Sequence, residues 1–436
     1  MDTKEVEEYL TNFQKKDLPT LIHRPVQKFS EKKINAIIGP RRAGKTSFLF
    51  QIMRDMISQG RSKTNIIYLN FENARLFDIQ FKEVSKVIEM HKRLFPSTRK
   101  PVIFIDEPQN VVMWEKAIRD LYDDGFQIFI SGSSSKLLSK EIATPLRGRS
   151  LSVLLLPFSF AEFLSAKGYK VESNQSSDEM IKTLSLLDEY LEFGGYPEVV
   201  LEKDNDLKQK TLENYLDLTI YKDMVERHGI KDTLLVKWLI KSIMSSYTKE
   251  ISINKIYSTL KSQGRKFSKD ELYTLASMIS DSFFAIYLPR FSYSIRKREP
   301  TGKAYLCDIG FARLIESSID VGKKMENTIF LELTRRQEIG VELFYWKTQS
   351  EEVDFVLKRG TKVIQLIQVS KQGKDEKPKD REARALLKAR KALDCQNLLI
   401  ITQDEETTKE YEWYGIKENI KSIPLWKWLL QTEKIL

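Results

Sequence analysis

The sequence predicts an α/β protein in several parts: a mainly parallel sheet covered by helices, a helical middle, and a mixed α/β region at the C-terminus. Three observations carry this. Residues 33–165 alternate apolar strands with amphipathic stretches, the rhythm of a parallel sheet. Residues 166–300 are mostly helical in period and close on an alternating stretch, AIYLPRFSYSIRK. Residues 301–436 read as a strand, a helix, a hairpin, the charged helix 376–393 and the strand NLLIIT. A chain of 436 residues exceeds one ordinary core, so two or three domains are expected. The divisions fall at 1–165, 166–230, 231–300 and 301–436.

Taken in order, the strands of the first part are INAIIG, NIIYLNF, PVIFID, FQIFIS and SLSVLLL. The first of them runs into Gly39-Pro40-Arg41-Arg42-Ala43-Gly44-Lys45-Thr46-Ser47, which satisfies G-x-x-x-x-G-K-[ST] between a strand and a helix. Such a loop wraps main-chain N–H groups around phosphates at a helix N-terminus. Lys45 would neutralise the β- and γ-phosphates of ATP, and the Thr46 hydroxyl would hold Mg²⁺. The strand VIFID ends in Asp106 and Glu107. Asp106 suits the outer shell of Mg²⁺, and Glu107 the polarisation of an attacking water. A consecutive pair of acids favours a hydrolysing ATPase over a small-molecule kinase, which has no water to activate.

The strand IFIS ends in Ser131-Gly-Ser133-Ser134-Ser135, whose hydroxyls either sense the γ-phosphate, Ser133 first among them, or make an ordinary turn. Arg147 and Arg149 precede the next strand. Arg149 reads as an arginine finger, toward its own or a neighbouring subunit's nucleotide, or as a surface residue.

Further along, FGGYP (193–197) interrupts the helical pattern. Ser252 caps one helix that closes at Gly264, and Ser268-x-x-Glu271 is a capping box opening a second that runs toward Phe284. With the basic stretch of Arg290, Arg296, Lys297 and Arg298 this makes a winged-helix pattern. Net charge is +10, and residues 231–300 hold 13 basic against 6 acidic residues, a balance of +7. That segment is expected to face double-stranded DNA, its second helix in a major groove, or to dock a protein.

Two distant cysteines, Cys307 and Cys395, and three histidines argue against zinc and fit a reducing cytoplasm. No apolar run approaches the roughly 18 residues that cross a bilayer, so no membrane is expected.

With these motifs assembled, the chain resembles a family of archaeal and bacterial AAA-type P-loop ATPases. The resemblance runs through GPRRAGKTS (39–47), FIDEPQN (104–110), the Trp114 helix, SGSSSKLL (131–138), LRGRS (146–150) and LPFSFAEFL (156–164). It continues through FGGYPEVV (193–200), YLCDIGFARL (305–314) and EEVDFVL (351–357). It implies ATP binding, a winged helix after the ATPase module, and a C-terminal PD-(D/E)xK nuclease-like, restriction-endonuclease-like domain. Lys45, Thr46, Asp106 and Glu107 match the family's nucleotide site and Arg149 its GR element.

A working nuclease of that type needs a helix Glu, a strand Asp and then E-x-K, the acids holding Mg²⁺. Glu326 and Asp354 match the first two. Gln368 and Ser370 stand where a carboxylate and a lysine are needed, and Lys371, one place on, would point to the opposite face. The expected chemistry is therefore ATP hydrolysis coupled to binding DNA, a protein partner or further copies of the chain, with a silent nuclease-like domain. The alternatives are an ATP-driven nuclease using Glu326, Asp354 and Lys371, and an ATP-dependent scaffold without DNA.

Overall fold

A computed structural model describes residues 2–25, 29–76, 78–133, 148–172, 175–264, 267–293, 302–315, 320–371 and 377–431. The chain divides into two compact units: residues 1–155 with 281–283, and 156–280 with 284–436. The expected cuts at 230 and 300 separate no compact units; the one at 300 falls just before a strand paired with residues upstream.

In the first unit five short strands form one parallel sheet: β1 (Ile34–Ile38), β2 (Ile66–Asn70), β3 (Val102–Asp106), β4 (Gln127–Gly132) and β5 (Ser150–Leu154). Their order is β2-β3-β4-β1-β5. β1 and β3 are buried along their whole length, which is why they read as unbroken apolar runs. Around them lie α1 (Thr3–Lys15), α2 (Lys45–Ser58), α3 (Phe81–Leu94) and α4 (Trp114–Asp123). Register fixes what comes together: Ile38 lies beside Gly132 and Asp106 beside Ser131, so the ends of three strands share one edge.

The second unit begins with α5 (Phe160–Ala166), α6 (Ser177–Phe193), α7 (Pro197–Leu201) and α8 (Asn205–Leu218). Then come α9 (Thr233–Ser245), α10 (Ile253–Ser262), α11 (Lys269–Asp281) and the antiparallel pair β6 (Ala285–Leu288) and β7 (Lys303–Leu306). Glu250, between α9 and α10, adds a bridge to Lys303 on β7. The two expected caps are present. The Ser252 side chain accepts from Lys255 N, and Ser268 and Glu271 bond reciprocally. α11 stops at Asp281, short of Phe284, where Phe283 takes a left-handed φ of 59°.

Next follow α12 (Val321–Arg336), β8 (Val341–Lys347), β9 (Glu352–Arg359), β10 (Lys362–Ser370), α13 (Lys377–Leu393), β11 (Leu398–Thr402), β12 (Thr407–Trp413), β13 (Ile416–Pro424) and α14 (Leu425–Leu430). β8 to β13 form a mixed sheet ordered β12-β13-β11-β10-β9-β8. The hairpin β12–β13 was not expected from sequence: its burial is too uneven to give a clean alternation. No described helix is long and apolar enough to cross a membrane.

The motifs FGGYP and CDIGF meet in a clasp inside this unit. The buried Asp308 carboxylate accepts from Gly195 N at 2.7 Å and Gly310 N at 2.9 Å. Gly194 has φ 77°, and a Cβ there would lie 1.7 Å from Asp308 Oδ1, so no side chain fits. Burial outweighs the two N–H donors and raises the Asp308 pKa to about 6.

Candidate nucleotide site and a second acid cluster

The loop after β1 is shaped by close approach. A Cβ on Gly39 would meet the Leu155 carbonyl oxygen at 2.0 Å, so only glycine passes there. Arg24, buried behind the loop, donates from Nη1 to Ala43 O at 3.1 Å. Gly44 occupies the N-cap of α2 and Lys45 its first turn, placing the ammonium at the helix's positive end. That buried ammonium donates to the carbonyls of Gly39 (3.2 Å) and Pro40 (2.9 Å). Arg41 pairs with Glu72 at 3.2 Å, at the side of the loop. Arg42 takes a left-handed φ of 67° and, like Ser47, is exposed.

Asp106 ends β3 and is almost wholly buried. Its Oδ2 accepts from Thr46 Oγ1 at 2.6 Å and from Tyr68 OH at 3.2 Å, and Oδ1 from Ser131 Oγ. Burial first, then the neighbouring Glu107 charge, raises its pKa against the pull of Ser131, Thr46 and Lys45. Glu107 turns the chain out of the strand with φ 51° and ψ 54°, a conformation uncommon outside glycine. Its Oε2 accepts from Gln109 Nε2 and, at 3.4 Å, from Ser133 Oγ. Every described residue expected to touch nucleotide or Mg²⁺ is thus on one sheet edge, except Arg149. Ser134, Ser135 and Arg147 lie outside the described residues.

Arg149 is a correction. It precedes β5, and its carbonyl accepts from Ile34 N at the N-terminal end of β1. The loop leaves the opposite end, roughly 13 Å away at the ordinary strand rise. Arg149 pairs there with Asp123 at 3.5 Å and stacks 5.6 Å from the Tyr122 ring centre. It does not reach its own nucleotide loop. The signal was present in the sequence, since a residue before a parallel strand sits at the far edge from the loops that follow strands. Tyr68, Arg24 and Gln109 were not anticipated. Nothing local marks them.

In the second unit, Glu326 on α12 and Asp354 on β9 do come together, around a cation that sequence reasoning did not find. Lys303 Nζ lies 3.0 Å from Glu326 Oε1, 3.1 Å from Asp354 Oδ1 and 2.6 Å from Glu352 Oε1. Tyr305 OH donates to Glu326 Oε1 at 2.7 Å. Glu352 also pairs with Lys347, which pairs with Glu250. Asp354 Oδ2 accepts from Val369 N at 3.0 Å, and Gln368 Oε1 accepts from Asp354 N at 3.2 Å. The expected Lys371 is exposed, as strand alternation predicted, and Ser370 is buried. A site of Glu326, Asp354 and Lys371 is therefore corrected: the ammonium between those acids is that of Lys303. A cavity of about 360 Å³ opens beside Asp354, Gln368 and Glu352.

The winged-helix expectation meets two further facts. Beyond β6, Arg290 bridges to Tyr345 of β8 and its guanidinium donates to Lys347 O at 2.5 Å. Arg290 is thus engaged with the mixed sheet; Arg296, Lys297 and Arg298 lie outside the described residues. The exposed face of α11 presents Asp270, Glu271, Tyr273, Thr274 and Ser277, with Lys269 at its start. Exposed lysines sit instead at Lys231, Lys241, Lys249, Lys255 and Lys261.

Comparison with known proteins agrees with this first unit. The AAA domain family matches residues 31–164. Two domains of unknown function follow, DUF8612 over 184–319 and DUF4143 over 321–428. Among solved structures, Cdc6p from Pyrobaculum aerophilum shares 14% identity, 59% of this chain against 82% of that one, at a TM-score of 0.26, too low to argue from. The AAA match and the strand-edge site define the class of this part of the chain: an AAA-type P-loop domain. The chain is 39% identical over 414 residues to an uncharacterized protein, MJ1544, of Methanocaldococcus jannaschii, spanning 94% of this chain and 91% of that one. An uncharacterized protein of Haemophilus influenzae is 30% identical over 339 residues, 76% of this chain and 81% of that one. The chain belongs to the family of these two proteins.

Proposed function

We propose that the protein is a Mg²⁺-dependent ATP hydrolase whose second unit binds a partner without cutting nucleic acid. The observation that carries the reading is the pairing of Thr46 Oγ1 with Asp106 Oδ2 at 2.6 Å, beside the Lys45 ammonium and Glu107. Two oxygen donors, one a buried carboxylate satisfied only by hydroxyls, fit a hard divalent cation. Bound there, Mg²⁺ would neutralise charge on the terminal phosphates. Lys45 would release the loop carbonyls and take the phosphate oxygens. Glu107, at hydrogen-bond range of Ser133 and Gln109, would orient water as general base, with Ser133 reporting on the terminal phosphate. Arg149 keeps a role only toward a neighbouring copy's nucleotide.

The test is phosphate release by the purified chain. Wild type hydrolyses ATP and Lys45→Ala does not; activity surviving that change rejects the assignment.

For the second unit, the run of three helices, β6, β7 and the Glu250 bridge supports a winged helix. One helix, three antiparallel strands, a helix and a parallel strand, α12 to β11, support a nuclease-like fold. The lysines on α9, α10 and the turns beside them suit phosphate contact, whereas the acidic start of α11 does not suit reading bases in a groove. DNA, if it is the partner, is gripped by its backbone. A fluorescence titration of duplex DNA at two salt concentrations decides it: affinity must fall steeply with salt. Absent or salt-insensitive binding leaves the protein-partner reading. Incubation with Mg²⁺ or Mn²⁺ should give no cleavage above the Asp354→Ala background.

A further inference from the structure

Among the described residues, the ionic cluster of Lys303, Glu326, Glu352 and Asp354 is the densest buried set of charges that the nucleotide site does not use. Lys303 exposes 4% of its side chain, Asp354 11% and Glu326 14%. Glu352 stands at the rim, 34% exposed; the more buried Glu326 and Asp354 are costly to keep as anions without a cation between them. That cation comes from β7 of the chain itself.

We propose that Lys303 is the resident cation of this cluster: its ammonium holds Glu326, Glu352 and Asp354 in the place and manner of a divalent metal ion, so that the site needs none and admits none. Several features make the substitution specific. The Nζ contacts of 2.6, 3.0 and 3.1 Å come from two elements, α12 and β9, so the ammonium gathers separate parts of the fold as a metal would. An ammonium has three donors and here meets three carboxylates. Further donors reinforce the three acids: Tyr305 OH serves Glu326 Oε1, Val369 N serves Asp354 Oδ2 and Lys347 serves Glu352 Oε2. Glu250 lies beyond Lys347, and Glu351, Arg381 and Glu382 line the cavity beside Glu352 and Asp354. Burial alone would lower the Lys303 pKa; Glu326, Tyr305, Asp354 and Glu352 outweigh it and raise it far above the ordinary value, so the ammonium stays charged. Gln368, whose amide oxygen is turned to Asp354 N, adds an oxygen without a further charge.

This inference concerns what neutralises the cluster and stands whether or not the domain touches DNA. It follows that Lys303 also ties β7 to α12 and β9, anchoring the β6–β7 pair on the mixed sheet.

The test uses the full chain without nucleotide, with Mn²⁺ followed by electron paramagnetic resonance. Wild type should leave the free-ion signal unchanged at this cluster, whereas Lys303→Met should bind a Mn²⁺ ion at least about tenfold more tightly. Adding Glu326→Gln to Lys303→Met should abolish that gain. A folded Lys303→Met chain that binds no more Mn²⁺ than wild type overturns the proposal. So does wild-type Mn²⁺ binding that Glu326→Gln removes, because the ammonium would then not be resident. If Lys303→Met alone does not fold, thermal melting of Lys303→Met/Glu326→Gln decides. Recovery of a cooperative melt supports a counter-ion role, and a double variant no better folded than the single one rejects it.

Discussion

At the end of β3 the carboxylates of Asp106 and Glu107 are met by hydroxyls and an amide, whereas Glu326, Glu352 and Asp354 are met by an ammonium. Both clusters hold their carboxylates by hydrogen bonds. Only the second sets an ammonium in direct contact with its acids, one positive charge among three carboxylates. A hydroxyl fills a lone pair but leaves the anion's field in place, so Asp106 keeps an attraction for a cation delivered with a phosphate. The lysine in the other cluster weakens that attraction by occupying the place a cation would take. Hydrogen-bond completeness therefore does not distinguish a reactive acid from a silent one; the identity of the donor does.

The largest test of this contrast is Glu107→Gln. It keeps shape and the Gln109 contact but removes the base. Phosphate release should fall about 10²–10⁴-fold while nucleotide binding, read by a fluorescent analogue, is retained. Binding lost in proportion to turnover would mean that Glu107 holds the nucleotide and does not act on water.

A second test sets the two clusters against each other in stability. Lys303→Met should cost about 3–5 kcal/mol in chemical denaturation, because buried carboxylates lose their counter-ion. Thr46→Ala should cost only about 1 kcal/mol, the scale of one hydrogen bond, while sharply raising the Mg²⁺ needed for hydrolysis. Similar losses at both positions would erase the distinction.

The smallest effect is on pH dependence. Burial raises the Glu326 pKa to about 7 from 4.5, against Lys303 and Tyr305, which pull it down. The fold therefore holds a proton there that the unfolded chain releases. That contribution is full below about 4.5 and is lost as pH climbs toward 7. Asp308, raised to about 6 from 3.8, adds a loss of the same sign over that window. Lys303, shifted upward, holds its contribution throughout and loses it only in strong alkali. Urea midpoints should decline from pH 4.5 to 7.5, and less so in Glu326→Gln. A rising midpoint attributable to Glu326 would reverse the sign argued here.

What could be read from the sequence follows the range of the interactions. The phosphate loop and the Asp106–Glu107 strand end need only consecutive residues in a local rhythm, and the capping box at Ser268 needs four. Strand alternation correctly sent Lys371 away from Ser370. Lys303 was invisible because it lies 23 residues before Glu326 and 51 before Asp354, and no short pattern joins them. The second helix of the winged-helix pattern was legible as a helix, but the charge of its exposed face shows only once burial is known. Arg149, which begins a parallel strand, lies at the end opposite its own phosphate loop, and only the edge-wise order of strands and loops reveals this.

The Asp308 clasp sets where this chain can be divided. Its two halves, Gly195 and Asp308, are 113 residues apart yet form one buried bond. A fragment ending anywhere from 196 to 307 carries the glycines without the acid, and its complement the acid without the glycines. Each would expose a group the intact chain never shows to water. Shortened versions for biochemical work should therefore keep Gly195 and Asp308 on one fragment.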